Sequence, residues 1–197
     1  MAPEPQRDPW LQRWLPLVRE RAAAGVVVEL GCGAGDDTAT LADAGLKVQA
    51  FDLAPAAVEA ARLRAPSAVV SCADLREAIP EAQRRLSVIV ASLSLHYFPW
   101  AETLNIVQRI GAALRPGGVL LCRLNSTQDH HHGASGHPAI EPGLFLVDGQ
   151  PKRFFDAAAI DALFGAGWRR LALEHRITRK YVKPKALWEL VLERTDD

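Results

Sequence analysis

The chain has 197 residues, 49% of them apolar and 23% charged, and its 23 basic side chains balance 23 acidic ones. That length favours a single domain, able to hide about 70% of the unfolded chain's surface without disulfides or a structural metal. Charge balance argues against a duplex nucleic-acid binder, the share of Val, Ile, Leu and Phe argues against disorder, and no apolar run nears the ~20 residues that span a bilayer.

The amino-terminal stretch Met1 to Asp8 is polar, and Arg13 and Pro16 interrupt the next apolar stretch, so no signal-peptide core is expected and the location should be cytoplasmic. Cys32, Cys72 and Cys122 form an odd set without CxxC spacing, which predicts buried thiols, not a disulfide framework or a zinc site. Trp10, Trp14, Leu17 and Val18 share a helical face, predicting a leading helix over the sheet edge or the pocket.

Val26 to Leu30 is β-branched and nearly unbroken, as a buried strand should be. Asp36 and Asp37 are placed to cap a helix that stops at Gly45. Lys47 to Phe51 predicts a second strand, Pro55 opens a helix, and Ala68 to Cys72 and Leu86 to Ala91 predict two more strands. Pro99 opens the clearest helix, with Trp100, Leu104, Val107, Gly111 and Leu114 on one face. The turn Arg115 to Gly118 ends it, and Val119 to Leu124 follows as a fifth strand.

Asn125 to Pro151 has four Gly, three Pro and four His but no Lys or Arg, which predicts a long irregular loop of the lid kind. Asp156 should cap a helix containing Ile160, Leu163 and Phe164. Two final strands are expected at Leu171 to Ile177 and Trp188 to Leu192, joined by a basic link. The alternation of strands and helices predicts a doubly wound α/β sheet of seven strands, mostly parallel, with the last strand antiparallel.

The informative stretch is the glycine loop, with Gly31, Gly33 and Gly35 between a strand and a helix start. A dinucleotide-binding GxGxxG loop needs a small residue where this chain has Asp36, whose charge would point at a pyrophosphate. A ligand without phosphate fits better. Asp52 ends the second strand, where a carboxylate can accept both hydroxyls of a ribose, and Asp74 follows the third, where it can meet an adenine edge.

In ELGCGAG (Glu29 to Gly35), FDLAP (Phe51 to Pro55), CADL (Cys72 to Leu75) and LRPGGVLL (Leu114 to Leu121), the chain resembles the class I S-adenosylmethionine-dependent methyltransferases. The likeness covers roughly residues 20 to 125 and implies S-adenosylmethionine as cofactor. It implies that Gly31, Gly33 and Gly35 pass under the methionine part, while Glu29 shapes the loop and helps receive the amino group. By the same likeness Asp52 and Leu53 take the ribose side, Asp74 and Leu75 lie by the adenine, and Ala91 to Ser94, with Ser92 as a contact, flank the sulfonium. One domain over 1–197 is implied, with a leading helix at 1–22, a cofactor-binding core at 25–124, a lid or acceptor loop at 125–151 and a helix and strand pair at 152–197. The segment from Arg123 to Gly133 resembles a bacterial subgroup of small-molecule methyltransferases, some of tellurite-resistance type.

The acceptor side is less explicit. His96 follows the fourth strand at the carboxyl edge of the sheet and titrates near neutrality, so it is the candidate general base; a satisfied histidine at a helix entry is the plainer reading. Tyr97 should wall the pocket, and Arg123, Asn125 and Asp129 should be polar contacts of the acceptor loop. His132 with His137 or Asp129 has the spacing to meet an ion, but a solvated loop is the commoner outcome, and no metal is expected. The basic link, with Lys180 and Tyr181, suits either an anionic small-molecule acceptor or a solvated hairpin. The expected function is methyl transfer to a small molecule, without nucleic-acid or membrane partners. The alternatives are a non-catalytic cofactor-binding relative and a nicotinamide-dependent reductase.

Overall fold

Central strands that are apolar at odd and even positions alike are stable only with both faces covered. The computed structural model, which describes residues 9–79 and 86–196, has that arrangement. Strands β1 (Val26–Leu30), β2 (Lys47–Asp52), β3 (Val69–Cys72), β4 (Leu86–Ser92), β5 (Leu114–Asn125), β9 (Trp168–Thr178) and β10 (Lys185–Arg194) form one sheet in the order β3-β2-β1-β4-β5-β10-β9. The first five pair in parallel, and β10 runs antiparallel to both β5 and β9. The expected doubly wound sheet with an antiparallel last strand is present.

Alternate residues of a strand part to opposite faces. Val88 and Val90 of β4 and Val119 and Leu121 of β5 join one apolar cluster. Helices α1 (Leu15–Ala22), α2 (Asp36–Asp43) and α3 (Pro55–Arg64) cover it through Val18, Leu41 and Val58. Ile89, Ala91, Leu120, Cys122 and Leu124 enter the opposite cluster, under α5 (Trp100–Ala113) and α6 (Ala157–Leu163), with Ile106, Ile110 and Ile160. A four-residue helix, α4 (Leu75–Ala78), follows β3. Among the described residues, no helix is long and apolar enough to cross a membrane.

Several local expectations change. The leading segment starts as a 3-10 turn, Pro9–Trp14, before α1, while Met1 to Asp8 lie outside the described residues. No side chain caps α2; Gly35 enters it in the left-handed region at φ +84°, leaving Asp36 and Asp37 for other partners. The turn at Arg115 to Gly118 bulges inside β5, because Leu86 pairs with Leu114 and Val88 with Val119. Cys32 and Cys122 are buried, but Cys72 is exposed. Asp156 does cap α6, accepting the Ala159 N–H at 2.8 Å.

The largest correction concerns residues 125–151. They are not irregular throughout, for three short strands, β6 (Ala139–Glu141), β7 (Leu144–Val147) and β8 (Gln150–Arg153), form a second antiparallel sheet. The β7–β8 hairpin turns on Asp148 and Gly149, both at positive φ, the pair a two-residue hairpin favours.

Candidate functional site

The strand order reverses about β1 and β4, and open α/β sheets hold ligands where it does so. A cavity of about 950 Å³ opens there, at the carboxyl ends of the central strands. Glu29 and Gly31 come to it from β1, Asp52 and Leu53 from β2, Asp74 and Leu75 from β3 and Ser92 from β4. Gly33 lines it too, with no heavy atom within 4 Å of where a Cβ would sit, so the middle of the loop is open to a ligand. Gly35 faces away, where a Cβ would stand 2.8 Å from the Ala61 Cα of α3.

Asp52 accepts the Gly33 N–H at 2.8 Å with one oxygen and the Ala54 N–H at 2.9 Å with the other. Each oxygen keeps a lone pair for a hydroxyl. No cation pairs with Asp52 among the described residues. Asp74 caps α4 through the Arg76 N–H and pairs with the Arg76 guanidinium at 2.6 Å, which holds its carboxyl below the usual range. It therefore serves the turn and the cavity together.

Glu29 is buried and accepts the Thr38 hydroxyl at 2.6 Å. Burial, with Asp37 nearby, pushes its carboxyl well above the ordinary value. Asp37 takes the Trp10 indole N–H at 2.9 and 3.0 Å, and its carboxyl is also raised by burial. Asp36 pairs with Arg64 and with Lys180, the latter at 2.6 Å. Six carboxyl groups (Glu29, Asp36, Asp37, Asp52, Asp74 and Glu102), two of them raised by burial, thus line the cavity beside three cations, Arg76, Arg123 and Lys180. An acidic excess suits a ligand carrying a sulfonium and an ammonium and disfavours a pyrophosphate. The donors present fit S-adenosylmethionine.

Of the residues expected to meet an acceptor, Tyr97, Lys180 and Tyr181 line the cavity. Burial raises the Tyr97 phenol. The basic link is only partly a solvated hairpin: Lys180 and Tyr181 turn inward, while Val182 is fully exposed. Asn125, Asp129 and His96 do not line the cavity. Asn125 is buried and donates to the Arg153 carbonyl at 3.3 Å. Asp129 is buried in an ion pair with Lys185 at 2.7 Å and holds His132 at 2.8 Å.

His96 is 4% exposed, and burial, with Lys185 and Lys152 near, lowers its pKa to about 3. It is a neutral, buried histidine tilted against Tyr97, ring centroids 4.1 Å apart and planes at 43°. It is not the satisfied histidine expected, because its Nδ1 meets no partner among the described residues. Of the long segment, only Gln150 and Pro151 reach the cavity. Sequence reasoning missed these two, together with Arg76 and Glu102, while Ser94, within the foreseen Ala91 to Ser94 segment, does line the cavity. Arg123 was foreseen with the loop, but it works from the wall of the sheet: its Nε donates to Ser92 at 2.8 Å and its guanidinium lies 4.4 Å from the Trp10 ring centre.

Residues 27–118 match the family described as a methyltransferase domain. A trans-aconitate 2-methyltransferase from Methylobacterium radiotolerans is 33% identical over 180 residues, covering 83% of this chain and 65% of that protein. Over residues 27–118 the chain is thus similar to methyltransferase domains, on the fold of solved S-adenosylmethionine-dependent methyltransferases. A protein of the same name from Paracidovorax citrulli is 35% identical over 114 residues, 56% of this chain and 43% of its own length. The match thus spans less than two thirds of either relative. A solved S-adenosylmethionine-dependent methyltransferase from Methanosarcina mazei shares the fold at TM-score 0.75 and 15% identity, covering 92% of this chain and 98% of that one.

Two outcomes follow from this geometry. Asp52→Ala should weaken S-adenosylhomocysteine binding at least roughly tenfold in a folded protein, because charge-assisted hydrogen bonds are worth about 1.5–3 kcal/mol each; unchanged calorimetric affinity would remove Asp52 from the site. His96 must stay neutral when folded yet takes a proton near pH 6.5 when unfolded. Its contribution is therefore complete above about pH 6.5 and is lost as pH falls toward about 3, at roughly 1.4 kcal/mol per pH unit for one proton. Denaturation of wild type and His96→Gln at pH 7, 6 and 5 should show their stability difference changing in that direction, with wild type losing ground. A difference independent of pH contradicts it.

Proposed function

We propose that the protein transfers the methyl group of S-adenosylmethionine to a small acceptor bearing a carboxylate. When bound, that cofactor supplies an electrophilic methyl on a good leaving group, so the chain's task is alignment and exclusion of water. Asp52 would hold the ribose, Leu53 and Leu75 the faces of the adenine, and the acidic loop end the ammonium. Tyr97, Gln150, Pro151 and Tyr181 would wall the acceptor.

The observation that supports the reading is that two cations reach the cavity wall among its carboxylates, Arg123 from β5, 3.9 Å from Asp37, and Lys180 from the β9–β10 link, 2.6 Å from Asp36. The position of His96 supports it, since a buried neutral histidine outside the cavity removes no acceptor proton. A carboxylate oxygen brings a lone pair and has no proton to lose. Two relatives are named for trans-aconitate, a polycarboxylate.

The test is transfer of a labelled methyl from the cofactor into a panel of small carboxylic acids, amines and phenols. A base-labile labelled ester is expected, with Lys180→Met raising the KM of the acid at least about tenfold while S-adenosylhomocysteine affinity stays within about twofold. Label entering amines or phenols alone would overturn the carboxylate acceptor. An equal loss of cofactor affinity in Lys180→Met would move Lys180 to the cofactor's wall.

A further inference from the structure

A second cavity, of about 550 Å³, lies beside the first and shares only Arg123 with its lining. Its origin is the crowding at the start of α2. The Trp10 indole N–H is tied to Asp37 and Lys180 to Asp36, so the leading segment and the β9–β10 link are both drawn to that helix. Pro9, Trp10 and Arg13 of the first strap and Arg176, Ile177 and Arg179 at the start of the second line the space they leave. Its floor follows from strand register. Arg123 pairs with Glu189 and Leu187 with Arg176, and side chains directly opposite share one face of a sheet.

The charge here is of the other sign. Four guanidinium groups line the cavity, those of Arg13, Arg123, Arg176 and Arg179, with one carboxylate, Glu189. Glu189 is 5% exposed and already taken by Arg13 and by the Trp14 indole N–H at 3.2 Å. Glu174, opposite Glu189 on β9, takes Arg13 at 3.2 Å and Arg176 at 2.5 Å. Arg123 stands 3.9 Å from Asp37. Three carboxylates thus serve four arginines, and Arg179 has no ion pair or hydrogen bond among the described residues. Beside it Ile177, 65% exposed, offers an uncovered apolar wall.

We propose that this second cavity binds a small organic anion, a carboxylate or phosphate group on an apolar body, at a site separate from the first. The anionic group meets Arg179 and Arg176, whose planar forks match the paired oxygens of either group. The apolar body lies against Ile177 and Trp10. Cavities of about 300–1,000 Å³ are the size that holds small ligands. The site takes nothing from the first cavity but the shared Arg123, so its failure leaves the methyl-transfer reading intact, and the reverse holds too.

Calorimetric titrations with phenyl phosphate, isophthalate and inorganic phosphate, at one ionic strength, test the site. At least one of the two organic anions should saturate a single site per chain, about tenfold more tightly than inorganic phosphate, which has no apolar body to bury. The tighter of the two tells a phosphate ester from a carboxylate. Arg179→Gln removes no bond of the folded chain, yet it should raise that Kd at least about tenfold. Its Kd for S-adenosylhomocysteine should stay within about twofold of wild type. Lys180→Met, in the first cavity, and Lys47→Met, exposed at the start of β2, should leave the Kd of the organic anion within about twofold. The proposal is overturned by the absence of saturable binding, by unchanged affinity in Arg179→Gln, or by inorganic phosphate binding as tightly. An equal loss in Lys180→Met would place the anion in the first cavity, and an equal loss in Lys47→Met would reduce it to diffuse attraction; either result also overturns the site.

Discussion

Four carboxylates gathered where β1 and β2 end set the terms for the rest of the molecule. Glu29, Asp36, Asp37 and Asp52 are close in sequence or brought side by side by parallel pairing of the two strands. Carboxylates so crowded and partly buried need hydrogen bonds or counter-charges. Thr38 and two loop amides satisfy Glu29 and Asp52 locally. The other partners come from far along the chain: Trp10 from the leading segment, Arg64 from the end of α3 and Lys180 from the β9–β10 link. Satisfying the loop therefore draws in distant parts of the chain, and of these partners Lys180 also lines the cavity.

The small sheet has a comparable role on the acceptor side. Arg153 of β8 donates to the carbonyls of Phe98 and Pro142, each at 3.1 Å, and pairs with Glu141 of β6. Glu141 in turn accepts the Trp100 N–H at 2.6 Å, where α5 begins. These bonds tie the hairpin to the turn between β4 and α5, which carries Tyr97, Phe98 and Pro99 into the cavity. The buried Asp129–Lys185 pair anchors the preceding segment to β10. The segment that composition suggests is an irregular loop is hydrogen-bonded at several points to the main sheet and to the start of α5.

The fold was legible because its signals are redundant. Strands such as Val88 to Ala91 and Val119 to Cys122 are apolar at consecutive positions, a pattern that only double-sided burial explains. The β1–β3 side of the cavity was legible because glycines and strand-ending carboxylates occupy backbone positions, and position alone puts them at the carboxyl edge. The acceptor side was not, because there direction matters more than position. Residues 94 and 96 both follow β4, but the left-handed turn at Leu93 puts Ser94 in the cavity wall and His96 in the core. Asn125 and Asp129 sit near the same edge and bond inward to Arg153 and Lys185. The second sheet was missed because strands of three or four residues show little periodicity, although the Asp148–Gly149 pair was a readable hairpin signal.

The central claim is that this acidic, glycine-floored cavity selects an S-adenosyl ligand over a dinucleotide. Calorimetric titration of the wild-type protein with S-adenosylhomocysteine and, separately, with NADH tests it most directly. Saturable binding of S-adenosylhomocysteine with no detectable heat from NADH is the predicted result. Saturable NADH binding, or none of S-adenosylhomocysteine, would contradict it.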